Sequence, residues 1–153
     1  YPLHLISNQP KDKLHSQLDH GSVSQSLKVN GREAIHIHPD DAPSRGLKND
    51  DLVQVFNSRG ACYAGVTLDN NLREGVIQMS TGAWYDPENP DKTGSMCKHG
   101  NPNVLTRDKG TSKLGQGPIA HSCLIEMKKY KNKLPKVTAH EPPIIIRSNI
   151  SLN

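Results

Sequence analysis

The chain has 153 residues, an apolar fraction of 33% with one Phe and one Trp, and a formal charge of +4 with a pI near 9.0. That length suits one domain with a modest core, and no apolar run approaches the ~20 residues of a membrane helix. Lys and Arg are scattered among acids except at Lys128, Lys129, Lys131, Lys133 and Lys136. With only Tyr130 at hand for stacking, that cluster reads as a solvated end and not as a nucleic-acid groove.

The first strand signal is Leu3 to Ser7, which runs into a polar segment, NQPKDKLHSQLDHGS. Asn30-Gly31 then predicts a type I′ hairpin turn. Ala34 to His38 predicts a second strand with Ile35 and Ile37 on one face and both histidines on the other. In HPDDAPSRGLKNDD the expectation is a short helix with Asp40 as N-cap, Pro43 in its first turn, Gly46 as the left-handed C′ residue, and a turn at Asn49-Asp50. Leu52 to Phe56 and Cys62 to Leu68 flank Asn57-Ser58-Arg59-Gly60, a tight hairpin in which Gly60 is expected to supply a positive φ. Gly75 to Met79 and Ser122 to Met127 complete six short runs rich in β-branched and aromatic residues.

Between the last two strands, Thr81 to Thr111 is about a third Gly, Pro and Asn and has almost no periodicity. Structureless runs of that length inside a compact domain are usually functional. After Tyr130 the tail mixes Lys with Pro and ends in an isolated Ile144-Ile145-Ile146, so residues 131–153 predict an extended arm beside a domain of residues 1–130. The whole predicts a mainly β, small closed barrel with short helices and long loops. The chain begins at Tyr1, without Met, and enters a strand at once, as a piece of something longer would.

Chemistry-bearing patterns are few. Cys62, Cys97 and Cys123 are far apart and form no C-x-x-C pair, so they read as buried thiols. His36 and His38 share a strand face but have no third ligand nearby in sequence, which favours a solvent face over a metal site. His15, Ser16 and Asp19 are too close along an extended chain to converge as a triad, and neither a GxGxxG nor a P-loop motif occurs. What remains is a neutral polar set on loops: Ser7, Asn8 and Gln9; His15, Ser16 and Gln17; Asn101 and Asn103; Ser112, Gln116 and Gly117. Such amides and hydroxyls can read a heterocycle's edges and help to hold a pyrophosphate, although loops also use them simply to turn.

In order along the chain, LHLISNQPKDKLHSQ, NGREAIHIHPDDAPSRGLKNDDLVQVFNSRGACYAGVTL, GVIQMSTGAWYDP, CKHGNPNVLTRDKGTSKLGQG and KVTAHEPP resemble the C-terminal domain of the molybdopterin oxidoreductases of the dimethyl sulfoxide reductase family. That family includes the trimethylamine N-oxide, biotin sulfoxide and dimethyl sulfoxide reductases. The resemblance covers roughly residues 1 to 145, and its LHSQ, WYDP and NPNVLT segments are specific in combination. It implies a six-stranded double-psi β-barrel like that of aspartate decarboxylase. It also implies a role: closing over a bis(molybdopterin guanine dinucleotide) cofactor whose molybdenum ligand comes from an earlier domain.

By matching positions, the resemblance assigns Ser7, Asn8, Gln9, Pro10, His15, Ser16, Asn103, Gln116 and Gly117 to the cofactor. His15 is then a donor to phosphate or pterin and not a base, carboxylates are scarce because they would repel pyrophosphates, and no residue here is a catalytic group or metal ligand. Gln9-Pro10 departs from the family's common His-Pro, so that a cofactor contact there is made by an amide instead, or not at all. Trp84 and Tyr85 are expected either near the substrate funnel or, as the preferred reading, in the core or at an interface. The implied partners are the missing N-terminal domains, a small S-oxide or N-oxide substrate and a c-type cytochrome electron donor; such reductases are periplasmic or cytoplasmic, and the WYDP and TAHEPP segments favour the periplasm. Two other readings are a free-standing barrel acting as a binding or adaptor module, and a decarboxylase-like enzyme, against which stands the lack of a self-processing Gly-Ser start.

Overall fold

The computed structural model describes residues 1–143 and 145. Six strands, β1 Leu3–Ile6, β2 Ala34–Ile37, β3 Leu52–Phe56, β4 Ala61–Leu68, β5 Val76–Met79 and β6 Cys123–Lys129, close into a barrel in the order β1-β5-β2-β4-β3-β6. The pairs β1–β5 and β2–β4 are parallel and the other four antiparallel. Parallel neighbours need crossover connections, and two interleaved crossovers in a closed six-stranded ring are the double-psi arrangement. All six strands begin and end within about two residues of where their side-chain chemistry places them, an ordinary uncertainty for element ends.

Alternation builds the interior. Leu3 and Leu5, Ile35 and Ile37, Val53 and Val55, Ile77 and Met79, and Ile125 and Met127 point inward and are buried. Each such side chain contributes roughly 1.5–3 kcal/mol of burial. Strand β4 is covered on both faces from Cys62 to Val66. Its outer face carries the Asn30-Gly31 hairpin, and a Cβ at Gly65 would stand 2.1 Å from Val29 Cβ. That hairpin has φ of 50° at Asn30 and 74° at Gly31 and is closed by Val29 N–H to Arg32 O (2.9 Å) and Arg32 N–H to Val29 O (3.0 Å), as a type I′ turn requires.

Three local expectations need correction. The helix expected from Asp40 is a single 3-10 turn, Pro43–Arg45, which starts after Ala42 without a side-chain cap. Asp40 instead gives its N–H to His38 Nδ1 (3.2 Å) in the preceding bend, and only Gly46, at φ 62°, keeps its expected role. The β3–β4 hairpin forms through Asn57 N–H to Gly60 O (3.1 Å), but Gly60 is not among the residues with positive φ. It is glycine for space, since a Cβ would meet Val104 O at 2.5 Å. Finally, the five-residue helix α1, Ser22–Ser26, was not anticipated from GSVSQS, which lacks both an apolar stripe and a side-chain cap.

Beyond β6, Tyr130 N–H returns to Leu52 O (2.8 Å), the Arg32 guanidinium donates to Pro135 O, and Thr138 and His140 bond to the body of the molecule. Residues 144 and 146–153 of the expected arm, including Ile144 and Ile146, lie outside the described residues. Among the described residues, no helix is long and apolar enough to cross a membrane.

Candidate cofactor site

The segment LHSQ is a tight turn, with Gln17 N–H donating to Leu14 O at 2.9 Å. His15 (φ 51°) and Leu18 (φ 65°) occupy the left-handed region. Non-glycine residues there cost on the order of 1–3 kcal/mol each and persist only where their surroundings hold them. Three contacts do so. Gln9 Nε2 donates to His15 Nδ1 (3.0 Å), which leaves the ring proton on Nε2 as a free donor. The indole N–H of Trp84 donates to Ser16 O (2.8 Å). Gly82, at φ 102°, lets the turn rest directly on the TGAWY backbone, since a Cβ there would lie 1.8 Å from His15 O. Where the resemblance left Gln9 in doubt, the amide is the group that orients His15.

One cleft borders this turn and a second adjoins the first. The first, about 520 Å³, is lined by His15, Ser16, Thr81–Tyr85, Asn101 and Asn103. The second, about 480 Å³, is lined by Ser7, Gln9, Thr81, Asn103, Thr106–Asp108, Pro118, Ala120 and His121. Thr81 and Asn103 are the wall they share. Five of the nine residues assigned from sequence, Ser7, Gln9, His15, Ser16 and Asn103, therefore border one pair of adjoining clefts. Asn8 faces a third cavity of about 440 Å³ beside His36, where its Oδ1 is buried without a partner. Pro10, Gln116 and Gly117 line none of the three; Gln116 (φ 36°) and Gly117 shape the 110–118 loop, where Thr111 N–H donates to Gly117 O (2.7 Å).

The donor set suits a large, anionic heterocyclic ligand. The first cleft contains no carboxylate, and the second has only Asp108, next to Arg107. Neutral amides, hydroxyls and an imidazole N–H can satisfy fused heterocycles and phosphate oxygens together without electrostatic conflict. Trp84 and Tyr85, expected in the core or at an interface, are 40% and 48% exposed and stand on the wall of the first cleft.

Behind that wall lies a cluster of buried charges. Lys13 and Lys28 each bond both Asp19 Oδ1 (3.0 and 2.9 Å) and Glu33 Oε2 (2.8 and 2.9 Å). Asp19 Oδ2 accepts Trp84 N–H (3.1 Å) and His140 Nε2 (3.2 Å). Burial works to raise the Asp19 pKa, yet hydrogen bonds and charge from Lys28, then Lys13, outweigh it and hold the carboxyl well below its usual range. His99 Nδ1 donates to Trp84 O (3.0 Å), and burial, followed by the Lys28 charge, pushes its pKa down to about 4. Asp86, from WYDP, accepts both the N–H and the hydroxyl of Thr138 at 2.7 Å and pairs with Lys98 (3.1 Å). The WYDP, KHGNPN and TAHEPP segments thus converge on Asp19 and Asp86, and the LHSQ turn joins them through the indole of Trp84.

Sequence reasoning missed this cluster, because its partners are up to 121 residues apart. The nearest signal in the sequence was the specific combination of LHSQ, WYDP and NPNVLT, with KVTAHEPP among the other matching segments. Asp19, His99 and His140 bring potential metal-ligand atoms within 4.8 Å of one another, but two ammonium groups already neutralise the carboxylate. His38, Asp40 and Glu74 form a second such group at the surface, while His36 Nδ1 lies 3.8 Å from Asp69.

A closed barrel whose loops build neutral polar clefts, backed by internally balanced charge, is a cofactor-holding domain. The chain belongs to the family described as "Molydopterin dinucleotide binding domain", whose model matches residues 3–124. It is 44% identical over 145 residues to the trimethylamine-N-oxide reductase of Salmonella typhimurium, and 46% identical over 139 residues to trimethylamine-N-oxide reductase 1 of Escherichia coli K12. Those alignments take in 94% and 90% of this chain but 17% and 16% of the relatives, so the chain spans about a sixth of their length. Among solved structures, acetylene hydratase from Pelobacter acetylenicus superposes with a TM-score of 0.67 at 19% identity, covering 85% of this chain and 18% of that one, and so shares the fold. The family and barrel expected from the motif order are both borne out.

Proposed function

We propose that this chain is the cofactor-closing domain of a larger molybdenum oxidoreductase that removes oxygen from an N-oxide or S-oxide, with trimethylamine N-oxide as the foremost substrate. The observation that carries the reading is the pair of adjoining clefts built by LHSQ, TGAWY and GNPN in a chain 44–46% identical to trimethylamine-N-oxide reductases. His15 Nε2–H, the hydroxyls of Ser7, Ser16 and Thr81, and the amides of Gln9 and Asn103 would hold the dinucleotide. Asn8, Pro10, Gln116 and Gly117 would complete its surroundings. When bound, the bis(molybdopterin guanine dinucleotide) molybdenum centre supplies the two-electron chemistry that, with two protons, turns the substrate's oxygen into water. This chain's share is to bind and orient the cofactor and to keep water from its buried edges.

The remainder of the longer polypeptide would supply the other half of the pocket. A periplasmic site, toward which the WYDP and TAHEPP segments incline the reading, is part of the same proposal, as are a c-type cytochrome donor and a place in anaerobic respiration, which rest on the family resemblance alone. Dimethyl sulfoxide and biotin sulfoxide are the competing substrates. The test uses the full-length protein from a host that makes the cofactor: molybdenum by elemental analysis, and oxidation of reduced viologen by trimethylamine N-oxide and by a sulfoxide. Near-stoichiometric metal with faster turnover of the N-oxide is expected. Folded protein without molybdenum or turnover, beside an active control, would leave a binding module and overturn the proposal.

A further inference from the structure

We propose that Asp19 is the positioning residue of the cofactor clefts: its buried carboxylate fixes Trp84, and through Trp84 the LHSQ turn, in the shape that receives the cofactor. The inference rests on the cofactor-binding reading above. Asp19 is fully buried, and its four donors arrive from separate places in the chain. Lys13 and Lys28 converge on Oδ1, at 3.0 and 2.9 Å, while Trp84 N–H and His140 Nε2 converge on Oδ2, at 3.1 and 3.2 Å. Four donors on one short side chain require two acceptor oxygens, each with two lone pairs. An amide in the same place offers one oxygen and a donor, and must leave either the ammonium groups or the Trp84 side opposed.

Trp84 passes the constraint on. Its main-chain N–H is held by Asp19 and its carbonyl accepts from His99 Nδ1 (3.0 Å), so both ends of that residue are pinned. Its indole N–H reaches across to Ser16 O, and its ring is braced by the rings of His140 (centroids 5.0 Å apart) and His20 (5.9 Å). Displacement of the carboxylate therefore moves a cleft wall and the Ser16 carbonyl, directly after the proposed cofactor residues His15 and Ser16. Hydrogen-bonded partners behind a binding residue set its orientation in this way in metal sites also.

Glu33 supplies an internal control. Its side chain accepts from the same two lysines, at 2.8 and 2.9 Å, is almost as buried, and makes no side-chain bond to LHSQ or TGAWY. Asp19→Asn and Glu33→Gln each remove one carboxylate from the same cluster and leave the same excess of positive charge. A purely structural role predicts that cofactor release follows the fall in melting temperature alike in both variants. A positioning role predicts that only Asp19→Asn loosens the cofactor.

The experiment uses full-length, cofactor-loaded protein and follows release of the bound guanine dinucleotide with time, together with hydrogen exchange at residues 14–17 and 84. Asp19→Asn, which opposes bonds at one of its two oxygens, is expected to melt lower than Glu33→Gln. Asp19→Asn should release cofactor about tenfold faster or more and lose protection at Trp84, while Glu33→Gln retains it as the unmodified protein does. Equal retention in both variants overturns the proposal. If Asp19→Asn does not accumulate folded, His140→Phe removes one donor and keeps a ring against Trp84; faster release supports the assignment and unchanged release overturns it. Unmodified full-length protein that carries no cofactor at all is a different result, because it removes the functional reading itself.

Discussion

His99 shows how one buried side chain links the cleft to acidity. Its neutral ring donates from Nδ1 to Trp84 O, and its Nε2 is buried without a partner. Burial, then the charge of Lys28, lowers its pKa from 6.5 to about 4. Below pH 6.5 the unfolded chain therefore takes up a proton that the folded chain refuses, and stability declines until about pH 4, by on the order of 3 kcal/mol. Asp19 acts lower down: its folded pKa is depressed, so its contribution is complete above the unfolded value of 3.8 and is lost only as the pH falls below that. Melting temperatures should accordingly fall between pH 7 and 4, and His99→Gln should flatten that part of the profile. A flat profile in the unmodified protein would refute the account. Neither residue was legible as part of the site, because a lone His in KHGNPN and an Asp in LDH carry no local mark of the partners that folding brings to them.

At the scale of elements, short strands bounded by turn residues were readable, since alternation and Gly, Asn or Pro boundaries act locally. Helix α1 was not, because GSVSQS has no intrinsic helical signal and is fixed by tertiary bonds such as Gln25 Nε2 to Asp19 O (2.7 Å). Gly60 and Gly65 were equally opaque: both are glycine because of an approaching segment, Val104 and Val29 respectively, that lies far off in sequence. Gly82 joins the two cases, with positive φ and with His15 O in the space of its missing Cβ. Gly82→Ala should cost about 1–3 kcal/mol in backbone strain alone. It should also push the LHSQ turn outward, so that cofactor content of the full-length protein falls further than that of a surface variant matched for stability. Retention at the matched level would show that the turn tolerates the shift.

For the molecule as a whole, the sequence motifs held the family and the topology, while the depth of the site was set by the barrel's return of distant segments to one end. This chain supplies one wall of a ligand that the proposal places between domains. Binding by the isolated 153-residue chain should therefore be weak, because half of the contacts are absent while the cost of immobilising the ligand remains. Isothermal calorimetry with the isolated chain should give a dissociation constant weaker than micromolar. Micromolar or tighter affinity would mean that this domain alone encloses the dinucleotide.

The ring closes where β1 pairs with β6, joining Leu3 to Ile125 and Leu5 to Cys123. Contacts of such sequence separation form late and slowly, and a chain emerging from the ribosome cannot make them until its last strand is out. Until then β1 has a bare edge, and the loop between β5 and β6, which carries Trp84, His99 and Asn103, has only one of its two anchors. Synthesis thus imposes a schedule: the receptacle does not exist until β6 has been made, and the proposed cofactor site can take shape only after that strand has joined the ring.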